Sequence, residues 1–234
     1  MVDTKTWTQR KKLFWQRMWY DLEIGYLDKD LLPVLIRLNL DKNAYSLSSC
    51  SGRIVVVDSP FPWSRGSDTT ILFKKHVYVD TGDLADILSQ TPAHNMWIIT
   101  TGPILHIAVS SPTTAIKILK LARMAGFKHS GIMHYSRKKG YILELTTGVY
   151  LSQLLRRKDS VFYRENLDKL VETVNEALLE GKKRLEKLYN YLKNEFLTEI
   201  DEEIASDLEL RGIRFDKTPL QIFNELVKYR LKRV

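Results

Sequence analysis

Residues Ser46–Arg53 carry the densest group of reactive side chains in the sequence, Ser-Leu-Ser-Ser-Cys-Ser-Gly-Arg, with four hydroxyls, one thiol and one guanidinium in eight residues. Small side chains leave backbone N–H groups accessible, hydroxyls both donate and accept, and arginine offers a two-pronged donor to a carboxylate or phosphate. We therefore expect a pocket for an anionic group. The alternative is a serine-rich turn that only caps the following strand.

Other catalytic signatures are absent from the sequence. No Gly-rich phosphate loop with its lysine, no Gly-x-Gly-x-x-Gly unit, no His-Glu-x-x-His and no Cys-x-x-Cys occurs. The five histidines, at positions 76, 94, 106, 129 and 134, are not spaced as two ligands on one helical face, so we expect no metal site. Asp80-Thr81-Gly82 resembles an aspartic-protease loop, but it occurs once and in a sequence typical of a turn.

Hydrophobic periodicity and turn residues predict the elements that position these groups. Helices are expected over 5–24, 28–40, 83–89, 113–124 and 164–197, with a last helix opening at Thr218-Pro219, and strands over 54–57, 71–79, 95–101, 104–110, 132–136, 140–146 and 149–152. The strands on either side of Gly102-Pro103 are candidates for a hairpin. The expected class is α+β, with a mixed β-sheet core flanked by helices, a long C-terminal helix and a helical tail.

Length and composition favour one α+β domain over residues 1–200, including the N-terminal helices, and a helical C-terminal appendage over 201–234. The net charge of +8 makes a polyanion a plausible partner. Cys50 is the single cysteine, which precludes an intramolecular disulfide and favours a cytoplasmic location. No stretch has the pattern of a secretory leader or the length of an apolar membrane span, so we expect no membrane association.

Four ordered segments resemble one known family. Ser46–Arg53 resembles the Ser-x-Ser-Ser-Cys-Ser-Gly-Arg signature of the tRNA wybutosine-synthesising protein 3 family, and Pro103–Ile107 resembles its Pro-x-x-Leu-His-Val strand. Ala122–Ile132 is similar to its turn containing Gly-Phe and Ser-Gly-Ile, and Glu180–Tyr191 to its basic helix. The resemblance runs from about residue 27 to about residue 197, so the appendage lies outside it.

This resemblance implies a methyltransferase that uses S-adenosylmethionine. The expected reaction methylates N4 of the tricyclic wyosine-type base at position 37 of tRNA-Phe, next to the anticodon, so the anticodon loop would be the partner. The usual methyltransferase loop, an acidic residue followed by Gly-x-Gly, is absent, and the cofactor site must be built differently. The sequence also departs from the family at Val77–Gly82, where a Ser/Thr-His pair is expected; His76 or Tyr78 would have to replace that histidine.

Individual roles follow from this resemblance and from side-chain chemistry. We expect the cofactor to contact Ser46, Ser48, Ser49, Cys50, Ser51 and Arg53. Ser49, Arg53 and His106 are the candidate catalytic residues, with His106 as proton acceptor because imidazole exchanges its proton near neutral pH. The alternative for His106 is a core histidine with satisfied hydrogen bonds, and Cys50 is better explained as a small packed residue than as a nucleophile.

The expected tRNA-facing residues are His129, Ser130, Arg137, Lys138 and Lys139, although a charged turn is by default a solvated surface. The five tryptophans, at positions 7, 15, 19, 63 and 97, are expected to anchor the core or an interface more than to stack on bases. Two other functions stay open. One is a noncatalytic RNA-binding module that uses the serine-rich segment as a phosphate site, and the other is a helical protein that dimerises through residues 164–234. We expect a monomer or a weak dimer.

Overall fold

The computed structural model describes residues 2–163, 165–213 and 216–231. The helices are α1 (Thr4–Glu23), α2 (Leu32–Leu40), α3 (Thr81–Leu88), α4 (Pro112–Met124), α5 (Leu167–Glu195), α6 (Glu202–Leu210) and α7 (Pro219–Leu231), and a 3-10 turn, Lys29–Leu31, precedes α2. The strands are β1 (Ala44–Cys50), β2 (Arg53–Ser59), β3 (Thr70–Lys75), β4 (Asn95–Thr101), β5 (Ile104–Val109), β6 (Gly131–Ser136), β7 (Gly140–Thr146), β8 (Tyr150–Arg157) and β9 (Ser160–Val161). The α+β class is confirmed.

The chain divides into two compact units. The first contains residues 1–51, 103–148 and 182–234, and the second contains residues 52–102 and 149–181. The helix α5 is continuous across the division, so that residues 167–181 belong to the second unit and residues 182–195 to the first. Whether residues 1–200 act as one catalytic domain stays a prediction.

The first unit is built on a four-stranded antiparallel sheet with strand order β1-β5-β7-β6. Its core joins the inward residues of this sheet, such as Leu105 and Leu143, to the apolar faces of α1, α2, α4 and the second half of α5. Burying a Leu or Ile side chain contributes about 2 kcal/mol, so this cluster is the main source of stability for the strands that carry the motifs. The appendage helices belong to the same unit, since Ile204, Leu208 and Phe223 are buried.

The second unit is built on a five-stranded antiparallel sheet with strand order β3-β2-β4-β8-β9. The β-branched run Ile54–Val57 lies in its buried centre. The Asn175 side chain of α5 holds the chain before α3 through two hydrogen bonds with the Val79 backbone, at 3.0 and 2.9 Å.

Local sequence signals predicted several helices well. Ser111 caps α4 by accepting a hydrogen bond from the Thr114 N–H at 3.1 Å, and proline occupies the first turn, as expected. The helix α5 covers Leu167–Glu195 of the predicted 164–197, whose first residue lies outside the described residues, and α6 falls in the appendage that was predicted to be helical, where only the last helix had been placed. Asp201 starts α6 by accepting from the Ile204 N–H. Among the described helices, none combines the length and the apolar character needed to cross a membrane.

Two strand predictions were wrong. The hairpin through Gly102-Pro103 does not form, because β4 pairs with β2 and β8 while β5 pairs with β1 and β7. The Gly102 N–H instead donates to the Val149 carbonyl oxygen at 2.8 Å. The serine-rich segment was expected to precede a strand and not to form one, but residues 46–50 are themselves part of β1 and pair with β5.

Candidate functional site

The serine-rich segment begins as a buried strand held against α2. The Ser46 hydroxyl accepts a hydrogen bond from the Asn39 side-chain amide at 2.8 Å, and the Ser46 N–H donates to the same amide's oxygen at 3.3 Å. Asn39 is itself fixed by a 2.7 Å bond to the Leu35 carbonyl oxygen. Ser46 is 3% exposed, so its buried hydroxyl holds β1 against α2.

A β-bulge in β1 brings Ser48 to His106. Ser46 pairs with Ile107 and Ser49 with Leu105, so that Leu47 and Ser48 together lie opposite His106 alone. Such a bulge redirects the extra residue and often lies beside a functional site. Here the Ser48 carbonyl oxygen lies 3.0 Å from His106 Nδ1, while the Ser48 side chain is exposed. The Ser49 hydroxyl donates to the Leu47 carbonyl oxygen at 3.3 Å.

His106 has a second partner on the neighbouring strand. It pairs in register with Glu144 of β7, and its Nε2 lies 3.1 Å from Glu144 Oε2. Both partners of the ring, a carbonyl and a carboxylate, can only accept hydrogen bonds when Glu144 is ionised. A neutral imidazole donates from one nitrogen, whereas an imidazolium donates from both. Each ring nitrogen of His106 therefore faces a hydrogen-bond acceptor, and the His106 and Glu144 side chains are about one-third exposed (32% and 36%).

The end of β1 is fixed by a buried ion pair. Lys182 of α5 donates to Asp30 at 2.7 Å and to the Ser51 hydroxyl at 2.5 Å, and the Lys182 and Asp30 side chains are 1% and 3% exposed. The Ser51 N–H donates to the Asp28 carboxylate at 2.8 Å. Burial raises the pKa of Asp30, and the Lys182 ammonium group opposes that rise. From α7, the Phe223 ring lies 5.1 Å from the Lys182 ammonium nitrogen.

Arg184, two residues after Lys182 in α5, holds the motif segment that follows α4. Arg184 donates to the Thr147 carbonyl oxygen at 2.8 Å and more weakly to the Gly126 carbonyl oxygen at 3.4 Å. Gly126 has a φ of +94°, and a Cβ placed there would lie 3.1 Å from the Arg184 Cδ atom. Residues 182–184 of α5 thus tie the end of β1 and the turn after α4 to one helix.

The signature crosses from the first unit into the second after Ser51. Gly52 has a φ of +94°, and an added Cβ would lie 2.7 Å from the Thr101 carbonyl oxygen, which explains why glycine is needed there. Arg53 follows as the first residue of β2, half-buried and opposite Thr101. Cys50, at the end of β1, is half-buried and forms no disulfide.

The residues expected to face tRNA differ in their surroundings. Arg137, Lys138 and Lys139 are exposed in the turn between β6 and β7. His129 is also exposed, and it packs so closely against Gly148 that a Cβ there would lie 2.4 Å from the imidazole Cδ2. Ser130 is 8% exposed, and its hydroxyl donates to the Phe127 carbonyl oxygen and accepts from the Thr146 N–H, which shapes the turn.

Two cavities in the first unit are relevant. A recess of about 90 Å³ adjoins the serine-rich strand and is lined by residues 46–49 together with Phe14, Arg17, Asp21 and Tyr26. A groove of about 1060 Å³ between α1 and α6 contains none of the motif residues. The chemistry of the motifs therefore points to the smaller recess, whose serine, arginine and aromatic lining suits part of a polar ligand.

Comparison with known proteins identifies the family. The family model described as "Methyltransferase TYW3" matches residues 9–194. The chain belongs to the TYW3 methyltransferase family. The TYW3 match contains all four motif segments, and it ends before α6 and α7.

Curated relatives have the same assignment. A protein of Saccharolobus solfataricus named tRNA(Phe) 7-((3-amino-3-carboxypropyl)-4-demethylwyosine(37)-N(4))-methyltransferase is 40% identical over 194 residues, which cover 80% of this chain and 90% of that protein. A Pyrococcus horikoshii protein of that name, numbered 1, is 30% identical over 186 residues, 79% of this chain and 94% of its own.

Solved structures share the fold. The structure of the PH1069 protein from Pyrococcus horikoshii superposes with a TM-score of 0.75 at 29% identity, covering 82% of this chain and 98% of that one. A hypothetical protein from Aeropyrum pernix gives a TM-score of 0.65 at 28% identity, covering 71% of this chain and 97% of that one.

Sequence reasoning missed Glu144, Asp30 and Lys182. Lys182 left a visible signal, because Leu178, Lys182 and Leu185 follow helical spacing and a lysine therefore lies in the buried stripe. Glu144 left none, since its place beside His106 depends on the register of β5 against β7.

Proposed function

We propose that this TYW3-family chain transfers a methyl group from S-adenosylmethionine to N4 of the tricyclic wyosine-type base at position 37 of tRNA(Phe). The main support for the proposal is that motif segments far apart in the sequence contact one another in the first unit. The signature strand pairs with the strand of His106, and residues 182–184 hold the signature and the turn after α4. The named relatives support the same base and the same atom.

S-adenosylmethionine, when bound, supplies an electrophilic methyl group. On transfer of that methyl group the donor would leave as a neutral thioether, and the ring nitrogen that gains the methyl group would have to lose its proton. We assign acceptance of that proton to the His106–Glu144 pair. The Ser48 carbonyl and the Glu144 carboxylate then both accept hydrogen bonds from the imidazolium, so that the protonated ring is stabilised without movement of the strands.

The donor set of the first unit fits the polar end of the cofactor. The Ser48 side chain is exposed beside the recess. Arg17 pairs through Nε with Asp21 at 3.4 Å, and its guanidinium has further N–H groups that a ligand carboxylate can accept from. A whole small-molecule pocket has a volume of roughly 300 Å³ or more, so the 90 Å³ recess holds one end of such a ligand. Within the predicted cofactor set, Ser48 and Ser49 are proposed to contact the ligand, and Ser46 and Ser51 to hold the strand. The role expected for Arg53, which belongs to the second unit, stays a prediction. Cys50 is proposed to pack.

On the substrate side, the exposed basic turn Arg137–Lys139 is proposed to contact tRNA phosphates, together with His129. Ser130 acts there by holding the turn, because its hydroxyl is engaged by backbone groups. A charge-reversed triple variant at 137–139 is expected to bind tRNA(Phe) more weakly, and its affinity is expected to depend less steeply on salt concentration. Unchanged affinity and unchanged salt dependence would refute this contact.

We further propose that the protein is cytoplasmic and works as a monomer or weak dimer. Light scattering of the purified protein tests the oligomeric state.

Two measurements on the purified protein test the function. Isothermal titration with S-adenosylmethionine is expected to show saturable binding. Incubation with that cofactor and tRNA(Phe) carrying the unmethylated tricyclic base is expected to yield a nucleoside heavier by one methyl group. Tight tRNA binding with no heat from the cofactor and no methylated product would refute the enzyme and leave an RNA-binding module.

A further inference from the structure

An exposed aromatic pair lies at one end of the second unit's sheet. Phe61 and Trp63, in the connection between β2 and β3, stack with ring centroids 5.1 Å apart and planes only 3° apart. Their side chains are 53% and 68% exposed, in contrast to Trp7, Trp15 and Trp19 of the first unit, which are buried. Trp63 is therefore not an anchor of the core, and it presents a flat apolar surface to solvent.

Phe61, on which Trp63 stacks, lines a cationic cleft. A cavity of about 500 Å³ is lined by Phe61, His94, Asn95, Trp97, Arg157 and Lys158, among others. It forms where Ser59, Asn95 and Arg157 lie side by side across β2, β4 and β8. The described residues that line it include an arginine, a lysine and a histidine and no aspartate or glutamate, so the cleft attracts anions.

Side-chain hydrogen bonds hold the walls of this cleft in place. The buried Asp58 carboxylate accepts from the Ala93 and His94 N–H groups at 2.6 and 2.8 Å. On the other wall, the Asn95 amide donates to the Pro60 carbonyl oxygen at 2.8 Å, and the Trp97 indole N–H donates to the Ser59 carbonyl oxygen at 3.2 Å. The segment before β4 is thus fixed by a side chain of β2, and the segment at the end of β2 is fixed by side chains of β4. The cleft is therefore formed before any ligand binds.

A flat aromatic surface beside two exposed cations suits a single-stranded nucleotide. The base stacks on an aromatic ring, which every base can do, and the phosphate pairs with lysine or arginine. In a duplex the bases are stacked on one another, so an unpaired nucleotide fits better. We propose that this cleft binds an unpaired nucleotide of the tRNA substrate, an inference that rests on the proposed function. Arg53 and Ser59 are the two ends of β2, which spans roughly 20 Å, so the nucleotide differs from one held at Arg53.

The test compares four variants of the full chain for binding to a fluorescently labelled, unmodified tRNA(Phe) transcript. Trp63→Ala removes the stacking surface, Trp63→Phe retains it, and Arg157→Gln with Lys158→Gln removes two cleft charges. Lys74→Gln with Lys193→Gln removes two exposed charges elsewhere and is the matched control. We expect Trp63→Ala to weaken binding roughly 5- to 100-fold and Trp63→Phe to stay near wild type.

The charge variants supply the second arm of the test. Removing both cleft cations is expected to reduce the magnitude of the slope of log affinity against log salt by about 1 to 1.5, because each lost phosphate contact contributes roughly 0.7. The control pair is expected to change this slope less. Because Trp63 is exposed, the melting temperature of Trp63→Ala should match wild type. Wild-type tRNA affinity in Trp63→Ala would overturn the inference and leave the methyltransferase proposal intact. Failure of the wild type to bind S-adenosylmethionine, with Trp63-dependent tRNA binding retained, would overturn only the proposed function.

Discussion

Replacing Lys182 with methionine would leave the Asp30 carboxyl group buried without its cation, since the two side chains are only 1% and 3% exposed. Removing one partner of a buried ion pair costs about 3 to 5 kcal/mol, and we expect the free energy of unfolding of Lys182→Met to fall by that amount at neutral pH. Ser51 also loses its 2.5 Å hydrogen bond from the ammonium group, so the end of β1 should become less ordered.

The loss should depend on pH. Burial raises the pKa of Asp30 in the folded protein, so ionisation of this carboxyl opposes folding. A group whose pKa is raised by folding favours the folded state below its unfolded-state pKa and loses that contribution as the pH rises through the folded-state value. Without Lys182 to oppose the rise, the destabilisation of Lys182→Met should therefore be smallest in acid and increase toward neutral pH.

Urea unfolding at several pH values measures this effect, with Lys183→Met as the control because Lys183 is the exposed neighbour on the same helix. The control should change the free energy of unfolding by less than about 0.5 kcal/mol. Lys182→Met combined with Asp30→Leu removes both charges and should regain much of the stability but not the methyl transfer activity, because Ser51 stays without its donor. A stable single variant, or a fully active double variant, would refute the positioning role of the ion pair.

Three further substitutions test the signature and its neighbours. Gly52→Ala should destabilise the protein by about 1 to 3 kcal/mol in thermal or urea unfolding, because alanine at a φ of +94° would place its Cβ 2.7 Å from the Thr101 carbonyl oxygen; unchanged stability would show that this turn can relax. His106→Asn should lower kcat by about 100-fold or more while the Kd for S-adenosylmethionine stays near wild type, and equal turnover in both proteins would rule out His106 as proton acceptor. Cys50→Ala should retain methyl transfer in the same assay, and a complete loss would contradict the packing role.

Local patterns were sufficient to predict much of the fold. The helix after Ser111-Pro112 and the helical tail from Pro219 depend on caps and periodicity that act within a few residues. The position of β5 was likewise predicted from its alternating apolar residues. Its partner was not, because Gly102-Pro103 carries the chain from one sheet to the other, and a short connection in sequence suggested a hairpin.

The candidate site was predictable in its residue types but not in its contacts. The density of hydroxyls led to Ser46–Arg53, and the family resemblance together with imidazole chemistry led to His106. The bulge that brings Ser48 to His106 and the register that adds Glu144 arise from strand pairing, which residues on single strands do not specify. Ser51 depends on Lys182, which lies 131 residues away in the chain. Long-range contacts of this kind are decided by packing of the whole unit.

The central claim concerns one methyl group on one base. Mass analysis of nucleosides from tRNA(Phe) of a strain lacking this gene tests it most directly, with the wild-type gene and the His106→Asn variant supplied back as the two arms. We predict that the unmethylated tricyclic base accumulates in the deletion strain, that the wild-type gene removes it, and that the His106→Asn variant does not. A fully methylated base at position 37 in the deletion strain would contradict the proposed function.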